Sequence, residues 1–223
     1  MGHKIYPVIH VQNTEQAIRN TLIAKDAKCD GVFLINHAIR PEKLVQIHAE
    51  VTTKIPDWWI GINCLGWTPD DIIRRATPEM SGIWVDNAGV DERTKGIGYP
   101  SIIKDLRKKV KWEGLYFGGV AFKYQRPVED LETACKLAKD YMDVVTTSGP
   151  GTAQEADVNK IARMHKALGD FPLAIASGIT IDNIENYLDK ATHFLVASGI
   201  NETWDDLNPT LVRQLVNKVR NYE

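Results

Sequence analysis

Cysteine is scarce in this chain and, where it occurs, dispersed: Cys29, Cys64 and Cys135 lie far apart and form no CxxC pair. That excludes a disulfide framework or a zinc knuckle and fits buried thiols in a reducing compartment. No apolar run approaches the ~18 residues of a membrane span. The start, MGHKIYPVIHV, enters a strand-like segment without an apolar leader core. A soluble, cytoplasmic protein with no membrane partner is the expectation. An excess of charge of one sign is also lacking. Twenty-seven Lys and Arg against twenty-nine Asp and Glu give a formal net charge of −2, which argues against a broad nucleic-acid-binding face. With no low-complexity segment and no Pro/Gly-rich linker, residues 1–223 are expected to form one domain. The turn after the first strand reads HVQNTEQ rather than GxGxxG, and no Walker A sequence follows anywhere. HxH, HExxH and acidic metal clusters are missing too, so neither a cofactor nor a metal ligand set is assigned.

What the sequence does have is alternation. Short apolar runs recur at nearly even spacing: Ile5 to Val11, Gly31 to Asn36, Trp58 to Asn63, Gly82 to Asn87, Leu115 to Phe122, Asp143 to Gly149, Pro172 to Gly178 and Thr192 to Gly199. Most are continuously apolar, as parallel strands covered on both faces must be. Between them lie amphipathic segments with helix-start signals, Thr14 before EQAIRN, Thr68-Pro69 before DDIIRRA and Thr180 before IDNIENYLDK. The last segment, DDLNPTLVRQLVNKVRNYE, places Leu211, Leu215 and Val219 on one face. Eight βα units can form an open doubly wound sheet or a closed barrel. Their even spread over 223 residues, within the roughly 200–250 a barrel needs, favours a (β/α)₈ TIM barrel with Ile5–Val11 pairing to both the second and the eighth strand. The longest connection runs from Ala88 to Pro100, and a second rich one, PGTAQEAD, follows the sixth strand.

The site of such a barrel lies at the C-terminal ends of its strands. Those ends supply His10 and Gln12, Asn36 and His37, Asn63, Asp86 and Asn87, Lys123, Thr147 and Ser148, Ser177 and Ser198. The most specific signal is a duplicated Ala-Ser-Gly, Ala176-Ser177-Gly178 and Ala197-Ser198-Gly199, closing the last two strands. Glycine lets an anion approach the backbone N–H groups and serine adds a hydroxyl. A helix starting near Thr180 or after Gly199 would add partial positive charge. Ser177, Gly178, Ser198 and Gly199 are therefore the candidate phosphate site, although a pair of plain turns has the same composition. Lys123 is a candidate charge or nucleophile, Asp86 a candidate acid/base partner, with Asn87 its alternative by side-chain alternation. His10 is a candidate general acid/base or a hydrogen-bonded structural histidine. Asn36, Asn63 and Thr147 can orient a substrate. Trp58-Trp59, at the opposite end of its strand, fits core packing or a subunit contact, which leaves a homo-oligomer among the expectations.

Several of these pieces are familiar together. VAFKYQRPVEDLETA, DVVTTSGPGTAQEAD, PLAIASGITIDNIENYL and FLVASG, between Leu115 and Gly199, resemble the BtpA family, barrel proteins associated by name with photosystem I biogenesis; CDGVFLIN, IGINCL and GIWVDN are weaker echoes. The resemblance implies a barrel of the ribulose-phosphate-binding type, related in architecture to phosphoribosylanthranilate isomerase and the tryptophan synthase alpha subunit. It also implies a functional lysine at Lys123. The chain departs from the family at its first strand, PVIHVQN, where a motif rich in Gly and Pro is expected. The leading expectation is an enzyme acting on a phosphorylated sugar- or nucleotide-derived metabolite by acid/base catalysis, an isomerase or lyase without a cofactor. Its rivals are a non-catalytic phospho-ligand-binding or assembly factor and a metal-dependent hydrolase barrel.

Overall fold

A computed structural model describes residues 2–94 and 98–222. Its strands are β1 Lys4–His10, β2 Val32–Ile35, β3 Ile60–Asn63, β4 Gly82–Val85, β5 Leu115–Gly119, β6 Val144–Thr147, β7 Leu173–Ala176 and β8 His193–Val196. The helices are α1 Thr14–Asp26, α2 Pro41–Lys54, α3 Pro69–Ile73, α4 Tyr99–Val110, α5 Leu131–Ala138, α6 Val158–Leu168 and α7 Pro209–Arg220. All eight strands are parallel and form a closed barrel in sequence order. Closure is by β1 on β8, with Lys4 opposite His193 and Pro7 opposite Val196, while Val8 to His10 pair with Phe33 to Ile35 on β2. Each apolar run contains a strand, but mostly a shorter one. Some polar residues near the run ends, His10, Asn63 and Thr147, close their strands, while Asn36 and Asn87 belong to the loops.

Alternation along the strands sorts side chains into two layers. One set packs outward against the helices. The inward set, Tyr6, Val8, Phe33, Ile35, Trp84, Phe117, Val144, Ala174, Ala176 and Leu195, fills the barrel together with Phe122. The interior is lopsided. Trp59 plugs the N-terminal end with ring centroids 4.5 Å from Tyr6 and 5.1 Å from Phe33, and Phe117 lies 5.1 Å from Phe33. The two pairs on Phe33 are edge-to-face, and such pairs contribute about 0.5–1.5 kcal/mol each beyond area burial. Opposite them, β7 and the end of β8 supply only alanines, Ala174, Ala176 and Ala197. Bulk at one side and small residues at the other leave space at the C-terminal mouth. Trp59 is thus part of the core, and its place there gives the Trp58-Trp59 pair its packing role.

The connections depart from expectation in two places. At α1 the cap is Asn13, whose side chain accepts from the Gln16 amide, and Thr14 is the first helical residue, its hydroxyl turned to Glu50 at 2.6 Å. Thr68 does cap α3, with a reciprocal bond from its own amide to Asp71. More consequentially, the segment after Thr180 forms turns and one 3₁₀ turn, Ile184–Asn186, instead of an α-helix. The Asn183 side chain explains this. It accepts from the Thr180 amide at 2.8 Å and donates to the Gly178 carbonyl at 2.7 Å, local bonds that compete with a helical ladder. The chain after Gly199 also stays irregular until Pro209. The partial positive charge of a helix N-terminus, expected at one of these two points, is absent from both. No helix among the described residues is long and apolar enough to cross a membrane.

Candidate active site

The small residues of β7 and β8 open onto a cavity of about 570 Å³ at the C-terminal mouth, a size that suits a small metabolite. Val8, Ile35, Leu65, Trp84, Ala176 and Leu195 make its floor and walls. His10, His37, Asp86, Lys123, Ser177 and Ser198 belong to its polar lining. Asp86 continues the inward phase of Trp84. Asn87 is exposed and turns its side-chain oxygen back to the Gly89 amide at 2.8 Å. Alternation therefore selects Asp86 for the cavity. A second cavity of about 470 Å³ between the β3 and β4 loops shares Leu65 and Asp86, but its lining has no cationic side chain.

The ionisable groups condition one another. Burial raises Asp86 above the ordinary carboxylate range, opposed by an Asn63 amide bond at 3.0 Å and by the charges of Lys123 and His37. Burial lowers His10 to about 4, helped by His37, whose ring centroid is 4.8 Å away. His37 is lowered by burial and by Lys123. Both histidines are neutral at pH 7. His10 Nδ1 lies 2.8 Å from the Trp204 carbonyl; a carbonyl only accepts, so the proton is on Nδ1 and Nε2 is the free acceptor. The result is a neutral base, a carboxyl of raised pKa and one ammonium, all reaching the same space.

Lys123 owes its position to the loop behind it. β5 ends at Gly119, and the chain then turns through Ala121 at φ 48° and Tyr124 at φ 60°. Thr147 Oγ1 donates to the Ala121 carbonyl at 3.1 Å, Ser148 Oγ accepts from the Lys123 amide at 2.9 Å, and the Lys160 ammonium, from α6, reaches the Ala121 and Ser148 carbonyls at 2.6 and 2.9 Å. Thr147, read as a substrate contact, is fully buried and holds this loop instead. Asn36 is likewise occupied. Its amide donates to the Ile39 and Leu65 carbonyls and its oxygen accepts from the Leu65 amide at 2.7 Å, tying the β2 loop to the β3 loop outside the cavity lining. Asn63 reaches the site through Asp86.

The two serine–glycine loops face the cavity differently. Ser198 is exposed on its wall. Ser177 has φ 96°, and its Oγ accepts from the Ala153 amide at 3.1 Å and donates to the Gly151 carbonyl at 3.2 Å. A Cβ on Gly178, at φ 72°, would sit 2.2 Å from the Gln154 carbonyl, and one on Gly199 would sit 2.2 Å from that of Ile179. Both glycines are thus required by close backbone approach between the β6, β7 and β8 loops. Among the described residues, four of the seven non-glycine residues at positive φ, Ala121, Tyr124, Ala153 and Ser177, belong to the loops around this one mouth. Such conformations cost roughly 1–3 kcal/mol each and gather at ligand sites.

Residues that strand-end reasoning left out complete the mouth. Trp204 lies in the β8–α7 loop with its ring 4.3 Å from that of His10. The loop is held from α1: buried Gln16 and Asn20 donate to the Asp205 carbonyl, at 2.6 and 3.3 Å, and Asn20 Oδ1 accepts from the Leu207 amide at 2.9 Å. Polar residues on the inner face of α1 were the one available signal.

No protein-family model matches the chain and no curated protein matches it, so the likeness to the BtpA family rests on the stretches quoted above. Solved structures do match over nearly the whole of this chain. Phosphoribosyl anthranilate isomerase from Thermus thermophilus aligns with a TM-score of 0.68 at 11% identity, covering 99% of this chain and 100% of that one. Orotidine 5′-monophosphate decarboxylase from Methanocaldococcus jannaschii, solved with the inhibitor BMP, gives 0.68 at 13%, covering 98% and 99%. (S)-3-O-geranylgeranylglyceryl phosphate synthase from Thermoplasma acidophilum, solved with sn-glycerol-1-phosphate, gives 0.67 at 14%, covering 99% and 94%. The fold they share with this chain is the closed (β/α)₈ barrel. At these identities the likeness carries the architecture alone. Among the described residues, no three His, Cys, Asp or Glu side chains are grouped to hold a metal ion.

Proposed function

We propose that this chain is an enzyme acting on a phosphorylated small metabolite, an isomerase or lyase of the acid/base kind. The observation that carries the proposal is convergence on one cavity. Asp86, Lys123 and neutral His10 enter from β4, β5 and β1, and Ser177 and Ser198 line the cavity from the loops after β7 and β8. The phosphate is held by backbone N–H groups of the two loops and the Ser198 hydroxyl, without a helix N-terminus; the Ser177 hydroxyl is committed to the Gly151 carbonyl. Lys123 supplies localised positive charge in surroundings drier than water, where it acts more strongly. Asp86 and His10 Nε2 move the proton. The neighbours named above are enzymes of phosphorylated substrates by their titles, which agrees with this reading. Membership of the BtpA family belongs to the same proposal, resting on the stretch from Leu115 to Gly199.

The test is mass spectrometry of small molecules that co-purify with the native protein, followed by incubation of the purified chain with whatever is found. A phosphorylated compound that is converted supports the proposal. One that raises the melting temperature and is never converted supports a binding or assembly factor instead.

A further inference from the structure

The cavity mouth carries features that neither an acid/base group nor an anion loop needs. Six large apolar side chains are notably exposed among the described residues, and two of them stand on this rim: Trp204, 51% exposed, and Tyr124, 80% exposed. Neither is a loose surface aromatic. Trp204 sits in the loop pinned by Gln16 and Asn20, and its carbonyl holds His10 and Asn201. The Tyr124 hydroxyl bonds Thr152 Oγ1 and the Thr152 amide, each at 3.2 Å, across the β5 and β6 loops. A fixed aromatic surface left open to water beside a site is ready for a flat or apolar group.

Polar groups decide between flat and merely apolar. Asp86, Ser198 and the free acceptor His10 Nε2 share the cavity with these aromatics. A hydrocarbon chain filling it would strip them of water without replacing the hydrogen bonds, whereas a heterocycle has polar edges to offer them.

We infer that the ligand of this cavity is a phosphate ester carrying a planar heterocycle, its ring lying against Trp204 and its polar edge turned to the cavity. The inference rests on the phosphate reading above and adds the identity of the group at the other end. Calorimetric titration of the full chain separates the two. The probes are uridine and inosine 5′-monophosphates, ribose 5-phosphate, hexyl phosphate and uridine. At least one of the two nucleotides is expected to bind tenfold or more tightly than ribose 5-phosphate or hexyl phosphate. Trp204→Ala abolishes that advantage while weakening ribose 5-phosphate far less, and Trp204→Phe, which keeps a flat ring, retains most of it. Ribose 5-phosphate or hexyl phosphate binding as tightly as both nucleotides overturns the heterocycle and leaves the phosphate reading standing. Uridine binding as tightly as its monophosphate overturns the phosphate reading. Absence of binding by every probe at millimolar concentration overturns both.

Discussion

The duplicated Ala-Ser-Gly admits two roles for its glycines, and Gly178 separates them. A side chain there would meet the Gln154 carbonyl at 2.2 Å in a backbone conformation, φ 72°, that L residues avoid. Gly178→Ala is expected to lose at least about 2 kcal/mol, a fall in melting temperature of roughly 5 °C for a chain of this size. An unchanged melt would mean that the glycine serves ligand approach alone. Lys123 is the opposite case. Its amide is bonded to Ser148 Oγ, whereas its ammonium belongs to the cavity. Lys123→Met is expected to leave the melting temperature within a few degrees, since a wet ammonium contributes about 0–1 kcal/mol to stability. Affinity for a phosphorylated ligand should fall at least tenfold, about 1.4 kcal/mol. Equal affinity in the two proteins would make the lysine ordinary surface. Asp86, as distinct from Asn87, became assignable only with the strand phase, because two adjacent polar residues at a strand end look alike in sequence.

At the scale of elements, the barrel was largely legible and the loops were not. Eight apolar runs fix eight strands because a doubly covered parallel strand is apolar throughout, whatever its neighbours. Thr147 and Asn36 were legible only as polar residues at strand ends. Whether such a residue faces ligand or ties loops together depends on partners such as Ala121 and Leu65 that a local pattern does not reveal. Lys160 is the clearest example, a lysine on an amphipathic helix whose ammonium fastens the loop bearing Lys123. Burial brings it from 10.5 down to about 8. Below about 8 both folded and unfolded chains hold this proton. Between about 8 and 10.5 the unfolded chain holds it more tightly, so this group makes stability rise with pH across that window. Denaturation of the parent and of Lys160→Met from pH 7.5 to 10.5 should show the parent gaining stability relative to the variant; the buried thiols Cys29, Cys64 and Cys135, pushed up to about 12, oppose the rise equally in both proteins and cancel in the difference. The variant should also bind phosphorylated ligand more weakly, although Lys160 does not line the cavity. Parallel pH curves would contradict the assignment.

For the whole molecule, acid sensitivity follows from its histidines. Burial lowers His10 and His193 to about 4 and also lowers His48. An unfolded histidine takes its proton near 6.5, so on acidification the unfolded chain binds protons first. Stability from these groups is complete above about 6.5 and is lost progressively as pH falls toward 4. Urea denaturation across that range should show it, and His10→Asn should reduce the slope. Closure of the sheet places β8 beside β1 and β7 next to β8, so the serine–glycine loops, His10 and the Trp204 loop share one mouth. The central claim is that this mouth binds phosphate between the last two loops. It is tested most directly by a crystal structure of the protein soaked in phosphate. The account places the anion within about 3.2 Å of backbone amides in both the Ser177–Gly178 and Ser198–Gly199 loops, with the Lys123 ammonium facing it. A well-occupied anion at the N-terminal face of the barrel, with none between these loops, would contradict it.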